Sequence, residues 1–186
     1  MRTEKQPLAT PVRNNGLPSL YSQMIHLRPL RLDQAPAFHR WLSDPEVTAC
    51  SLRVFQELKT LAQVTEWLAH TLEDTQSLTL GIYLAETQEL IGYAGITNLS
   101  RVNHSGEYFI LLGEKRYRGR GIGTAVTQHV VTRGFQELGL NRVMLTVSVP
   151  TKVGFQLEGR LRQACYRHQR FHDKLVMSVL RTEWPA

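Results

Sequence analysis

From position 24 onward, apolar and polar positions fall into short periodic runs. Ile25-His26-Leu27-Arg28-Pro29-Leu30 alternates with a period of two and predicts a first strand. Pro29, which cannot donate to a ladder, points to a sheet edge. Asp33 suits a helix cap, and Ala37, Phe38, Trp41 and Leu42 recur at helical spacing until Ser43-Asp44-Pro45-Glu46 breaks the pattern. Leu61, Val64, Trp67, Leu68 and Leu72 give a second helix over 61–72 one apolar face. Strands are expected over 78–84 and 90–96, joined by a tight hairpin at Glu86-Thr87-Gln88-Glu89, and a loop over 98–105 leads to a strand over 107–112. A helix over 125–138 and strands over 142–149, 155–166 and 171–180 complete the chain. Antiparallel strands in succession, then a strand-loop-helix-strand unit, predict an α/β (α+β) fold with a mixed, mostly antiparallel sheet and flanking helices. Residues 1–22, with Pro7, Pro11, Asn14-Asn15-Gly16 and Pro18 and no apolar period, read as a mobile tail before one domain over 23–186.

The stretch with the sharpest change of pattern is Arg116-Tyr117-Arg118-Gly119-Arg120-Gly121-Ile122-Gly123-Thr124, between a buried strand and a helix. Glycines let backbone N–H groups converge on an anion, and a helix N-terminus adds partial positive charge. Three arginines in five positions supply screening for a polyphosphate. A Walker loop would end in Gly-Lys-Ser/Thr, which is absent. A dinucleotide fingerprint would place glycine at 124 and an acid some twenty residues on; those places hold Thr124 and, nearby, Asn141 and Arg142.

Composition changes the picture little. A formal charge of 22 − 16 = +6 suits an anionic ligand, and equally nucleic acid, because arginines interleave with aromatics in Arg116-Tyr117-Arg118 and Tyr166-Arg167-His168-Gln169-Arg170-Phe171. Cys50 and Cys165 stand far apart and fit neither a disulfide framework nor a metal quartet; each reads as a small buried apolar side chain. Histidines lack the spacing of a zinc site, and His168 and His172, an i, i+4 pair, fall in a segment that reads as a hairpin, so no metal is expected. No run approaches membrane-spanning length and nothing near the N-terminus resembles a signal peptide, which makes a cytoplasmic address the default.

Arg118-x-x-Gly121-x-Gly123 after a strand, together with Leu27-Arg28-Pro29-Leu30, Ser43-Asp44-Pro45-Glu46, Gly154-Phe155-x-x-Glu158-Gly159 and the closing His172-Asp173 to Trp184, resembles the GNAT acyltransferase superfamily. The similarity is to the branch that holds ribosomal-protein N-terminal and polyamine acetyltransferases. The resemblance implies acetyl transfer from acetyl-CoA, as co-substrate and with no metal, to a primary amine of a protein N-terminus or small molecule, through a ternary complex. It assigns Arg118, Gly119, Arg120, Gly121, Ile122, Gly123 and Thr124 to the diphosphate and Ile110, Leu111 and Leu112 to the pantetheine arm. Glu107 takes the amine proton, directly or through water, in that assignment, and backbone N–H groups near Leu111 or Leu112 face the oxyanion. The two helices before the second strand would overhang the acceptor cleft.

One departure stands out. Relatives follow the fifth strand with a helix that carries an Asn at the cofactor and a Tyr near its sulfur; here Val149 leads through Pro150-Thr151 straight to Lys152-Val153-Gly154-Phe155. Tyr166 and Ser148 are candidate stand-ins for the missing acid. The fifth and sixth strands are parallel in the family, and Val149 to Gly154 spans at most about 18 Å, less than a full retrace of a strand plus a sidestep. Three outcomes follow: the last strands change polarity, exchange with a second copy, or the fifth strand shortens; rearrangement or shortening is favoured. Strand edges left open make a homodimer an expectation. A CoA-binding protein without turnover and an RNA-binding module are the alternative functions.

Overall fold

The computed structural model describes residues 24–48, 54–148, 151, 153–167 and 169–185. The expected tail, and Cys50, Val149, Pro150, Lys152 and His168, lie outside them. Seven strands form one sheet in the order β1-β2-β3-β4-β5-β7-β6. They are β1 (Ile25–Arg28), β2 (Leu78–Leu84), β3 (Leu90–Ser100), β4 (Ser105–Leu112), β5 (Arg142–Val147), β6 (Gln156–Arg167) and β7 (Arg170–Leu180). The α-helices among the described residues are α1 (Ala35–Leu42), α2 (Pro45–Thr48), α3 (Val54–Glu57), α4 (Leu61–Glu73) and α5 (Ile122–Gln136). β1 is the sheet edge that Pro29 indicated.

Three boundaries move, each for a local reason. β3 and β4 invade the expected loop over 98–105, because Asn98 takes a left-handed φ of 52° and lets the ladder skip register between Thr97 and Ser100 before resuming at Ser100–Ser105. α5 starts at Ile122 rather than 125, since Gly121 at φ 76° turns the loop directly into the helix. Pro45 opens α2 within the segment read as a break; at the first helical position its missing N–H costs nothing.

Alternation along the strands builds two cores. Ile82, Ala94, Ile96, Tyr108, Val143 and Val179 pack under α5 through Val126, Val130 and Val131. Tyr93 and Leu111 face the other way, into Phe38, Trp41, Val64 and Leu68 of α1 and α4.

Of the outcomes expected at the C-terminus, the fifth strand does shorten, but the changed polarity is overturned. β5 and β6 both run antiparallel to β7, so they are parallel to each other, and the described residues between them hold no helix. Full retracing was the wrong premise. β6 enters at Gln156 opposite Ser178, and Ser178 lies opposite Met144, only three residues back from the end of β5 at Val147. Stepping back about 10 Å and across two strand spacings of about 4.8 Å each needs roughly 14 Å, and nine Cα steps from Val147 to Gln156 span up to about 30 Å. The strand also ends two residues earlier than expected. In compensation β6 and β7 run on past Leu175, the partner of Val147, as an overhanging hairpin.

The Gly-Phe-x-x-Glu-Gly motif knits this region. Phe155 and Trp184 pack edge to face, and the Trp184 indole N–H donates to Thr132 Oγ1 of α5 at 2.9 Å. Glu158 is the extra residue where the β6–β7 register shifts between Leu157 and Gly159. Its carboxylate accepts from Arg142 Nη1 of β5 (2.6 Å) and from Ser178 Oγ of β7 (2.6 Å), joining three strands. The Arg142 guanidinium, then the Ser178 hydroxyl, hold the Glu158 carboxyl at a pKa of about 2. A depressed pKa means the stabilisation is full above the unfolded value near 4.3 and is lost as pH falls through about 2. Glu158→Gln is expected to lower the melting temperature at pH 7 by ~2–6 °C, with the gap to the parent closing by pH 2. Circular dichroism melts from pH 7 to 2 check this.

Candidate active site

β4 and β5 pair in parallel for only three positions, Ser105–Arg142, Gly106–Val143 and Glu107–Met144. Beyond Glu107 the strands part. From Tyr108 to Leu112 the edge of β4 that faces β5 is unpaired among the described residues, while its other edge stays laddered to β3. Alternate backbone N–H and C=O groups over Ile110, Leu111 and Leu112 are therefore left without a strand partner on that side, and the Leu112 carbonyl among them is taken by Arg118.

The far end of β4 is held from the α1 side. Gly113 lies so close to the Trp41 ring that a Cβ there would sit 2.0 Å from it. The Trp41 indole N–H donates to Glu114 Oε1 at 2.8 Å, and Arg40 pairs with the same carboxylate. Burial works to raise the Glu114 pKa, but the indole and the guanidinium outweigh it and hold it low. Arg118 turns its guanidinium back onto the Leu112 carbonyl (Nη2 at 2.8 Å, Nε at 3.1 Å) and reaches the Glu46 carbonyl at 3.4 Å.

Next comes the glycine loop. A 3-10 turn over Lys115–Tyr117 takes up the Arg118 N–H, which donates to the Lys115 carbonyl at 3.0 Å. Gly119 (φ 74°) and Gly121 (φ 76°) are left-handed, and no side chain caps α5. The helical ladder starts with Ala125 N–H to Gly121 O, so the amides of Ile122, Gly123 and Thr124 precede it and point outward. A Cβ at Gly119 or Gly123 would meet nothing within 4 Å, so the approach to these amides is open. The arrangement fits an anion at the helix N-terminus. Of the three arginines read as phosphate screens, Arg116 pairs with Glu89 and Arg118 braces β4, whereas Arg120 lies over the Tyr117 ring at 5.6 Å with no ion pair among the described residues.

Glu107 stands at the point of divergence, half-buried, on the sheet face shared with Phe109 and Leu111. Asn98 Nδ2 donates to Glu107 Oε2 at 2.9 Å and fixes its rotamer. The sequence alone places Asn98 in a loop and so hides this partner; an Asn interrupting Ile96-Thr97 and Leu99 is the available signal. On the opposite face the Tyr108 hydroxyl meets Thr127 Oγ1 at 2.9 Å, and Thr127 donates in turn to Gly123 O at 2.7 Å. That chain ties β4 to the first turn of α5. Tyr166, a candidate acid, lies in the hairpin overhang with its ring 4.9 Å from that of Phe171. Cys165 is half-buried in the same hairpin rather than in the core.

Tyr93, on β3 opposite Leu111, is 2% exposed, wrapped by Phe38, Phe55, Trp67 and Phe109. Its hydroxyl makes no hydrogen bond among the described residues, and burial pushes its pKa up.

Residues 25–150 match the model of the acetyltransferase (GNAT) domain. The chain is 26% identical over 175 residues to the uncharacterized N-acetyltransferase p20 of Bacillus licheniformis, covering 89% of this chain and 98% of that protein. It is 35% identical over 105 residues to the putative ribosomal N-acetyltransferase YdaF of Bacillus subtilis (strain 168), covering 51% of this chain and 56% of the other. Among solved structures, the spermidine N-acetyltransferase from Vibrio cholerae in complex with CoA and spermine superposes with a TM-score of 0.77 at 18% identity, covering 87% of this chain and 98% of that one.

An unpaired buried hydroxyl costs stability. Tyr93→Phe is expected to raise the unfolding free energy by about 1 kcal/mol in urea titrations; a loss of that size would reveal a partner for the hydroxyl.

Proposed function

The chain belongs to the GNAT acetyltransferase family and is an N-acetyltransferase that draws its acetyl group from acetyl-CoA, and on that premise we propose which residues bind, which move protons and which amines are accepted. Acetyl-CoA supplies, when bound, a thioester carbonyl as electrophile. The amides of Gly119, Arg120, Gly121, Ile122, Gly123 and Thr124 hold its diphosphate, with Arg120 adding charge. The free edge at Ile110, Leu111 and Leu112 takes the amide-bearing tether as a strand edge takes a peptide. Arg118 serves through its side chain as a brace on Leu112.

Glu107, oriented by Asn98, accepts the proton of the attacking amine directly or through one water. A β4 amide near Leu111 or Leu112 faces the developing oxyanion. Tyr166 stands exposed in the overhang with its ring against Phe171, and in this reading water protonates the departing thiolate. The observation that carries this reading is the parting of β4 from β5 at Glu107, with a glycine-opened helix N-terminus at the far end of the freed edge.

The acceptor is an amine carrying a single charge, such as a protein N-terminus. Acids beside the α1–α2 end of β4 already have partners: Asp44 and Glu46 share Lys115, Glu89 pairs with Arg116 and Glu114 with Arg40, four carboxylates on three cations. A polycation would have to displace these partners, and the chain as a whole carries +6. Among the described residues no helix is long and apolar enough to cross a membrane, and a cytoplasmic setting is part of this proposal.

Thiol release from acetyl-CoA over a panel of peptide N-termini, monoamines and polyamines tests the reading. Turnover is expected on N-termini or monoamines; tight acetyl-CoA binding with no turnover on any amine would leave a CoA-binding protein instead. Glu107→Gln is expected to lower kcat by ~100-fold while calorimetry gives an unchanged acetyl-CoA affinity. Gly121→Val, which forbids the left-handed cap, is expected to weaken that affinity by at least ~10-fold, and Tyr166→Phe to leave kcat within about twofold.

A further inference from the structure

Strand register puts one continuous row of side chains on the side of the sheet where Glu107 stands. Paired residues share a face, so Glu107, Met144 and Ser178 point the same way. Alternation carries that face along β5 to Thr146 and along β7 through Val176 and Lys174 to Arg170. Val143, Met177 and Val179, the residues in between, lie in the core under α5. The bonds that join Arg142, Glu158 and Ser178 are on the Glu107 side as well.

Helices cover only part of this face. The apolar layer of α1 and α4 takes in Tyr93, Phe109 and Leu111 of β3 and β4 and, among the described residues, none of β5, β6 or β7. Met144, Thr146, Val176 and Lys174 consequently stay only half-buried. They form a shelf that begins at the pair Glu107–Met144 and runs out along the β6–β7 hairpin. That hairpin leaves the sheet at the same end as the free β4 edge, because β7 continues past Val147, the last residue of β5, and β5 is parallel to β4.

Charge on the shelf has one sign. Its acids have partners: Glu107 accepts from Asn98, and Glu158 from Arg142 and Ser178. Asp173, the one acid between positions 160 and 175, alternates to the other face and pairs with Arg160. Lys174 and the exposed Arg170 form no ion pair among the described residues. Lys174 is four residues along β7 from Ser178 and two strands over from Glu107, about 16 Å away at ordinary strand spacings. Arg170 extends the row by about 13 Å more. α5, whose N-terminus takes the diphosphate in the reading above, packs on the opposite face, so these cations answer to something else.

Given acetyl transfer at Glu107, as read above, we propose that this shelf selects the acceptor, a protein N-terminus followed by an acidic stretch. Its first residues lie over Met144, Thr146 and Val176. Its carboxylates, from about the fifth residue of an extended chain onward, meet Lys174 and Arg170. A small amine has no chain to reach Lys174, and a polycation would meet like charge there.

Thiol release from acetyl-CoA tests this with ten-residue peptides that share their first three residues and carry Glu, Gln or Lys over the following six. The Glu peptide is expected to show a kcat/KM about 10-fold above the Gln peptide, through KM, and that preference should shrink between 50 and 500 mM salt. The Lys peptide should be the poorest of the three. Lys174→Met with Arg170→Met should erase the preference, and Lys174→Glu with Arg170→Glu should turn it toward the Lys peptide by ~10-fold. Both double variants should melt within about 2 °C of the parent. Equal kcat/KM on the three peptides, or a preference that both double variants leave in place, would overturn the shelf while acetyl transfer stands. Weaker acetyl-CoA binding by Lys174→Glu with Arg170→Glu in calorimetry would hand these cations to the cofactor and overturn it too. So would a dimer in light scattering that the same substitutions disperse. Turnover on none of the peptides would remove acetyl transfer to N-termini itself, and the shelf's role with it.

Discussion

The structure depends on two adjacent parallel strands that agree for three residues and then disagree. β5 is committed along its whole length to β7, six consecutive pairs from Arg142–Leu180 to Val147–Leu175. The end of β4 is claimed from elsewhere: the Trp41 ring against Gly113, the Trp41 and Arg40 donors on Glu114, and the Arg118 fork on the Leu112 carbonyl all draw it toward α1 and α2. With each strand answering to different neighbours, the ladder between them cannot close past Glu107, and an open backbone edge survives inside a folded sheet. Ordinarily such an edge would be paired or covered. Here it ends at the first turn of α5, tied to β4 through Tyr108, Thr127 and Gly123, so the edge and the helix N-terminus keep one geometry.

Much of this was legible in the chain because it is local. Alternation marked the first strand and short runs rich in apolar residues the others, and the change from Leu111-Leu112 to a run of glycines and arginines marked the loop. What stayed illegible depends on pairings between distant residues. Nothing in Arg118 itself says that its guanidinium turns back six residues to a carbonyl rather than out to an anion. Likewise Asn98 reads as a loop residue until the left-handed kink that aims it at Glu107 is seen. The C-terminal error had a different source. Strand lengths were legible but relative stagger was not, and a crossover that looked too short for a full retrace suffices once β6 starts beside Met144.

Among the described residues between β5 and β6 there is no helix, and aromatic side chains pack beside this stretch. Phe155 and Trp184 come from opposite ends of the β6–β7 unit and close over Phe135 and Thr132 of α5. On the other face Arg142, Ser178 and Glu158 bind the same strands with charge and hydrogen bonds. The sheet thus keeps its family order by two local fastenings, one apolar and one polar, where relatives are expected to use a helix.

The two slips of register in β6, at Glu158 and between Leu161 and Cys165, bear on solubility as well as on shape. β6 is the last strand of the sheet, and a long flat border strand is a template on which stray chains polymerise through their main chains. Each slip turns a residue out of the ladder and twists the border, so no foreign strand can zip along it for more than a few residues. The protein can therefore display Leu157, Leu161 and Tyr166 to water along that border without inviting fibre growth.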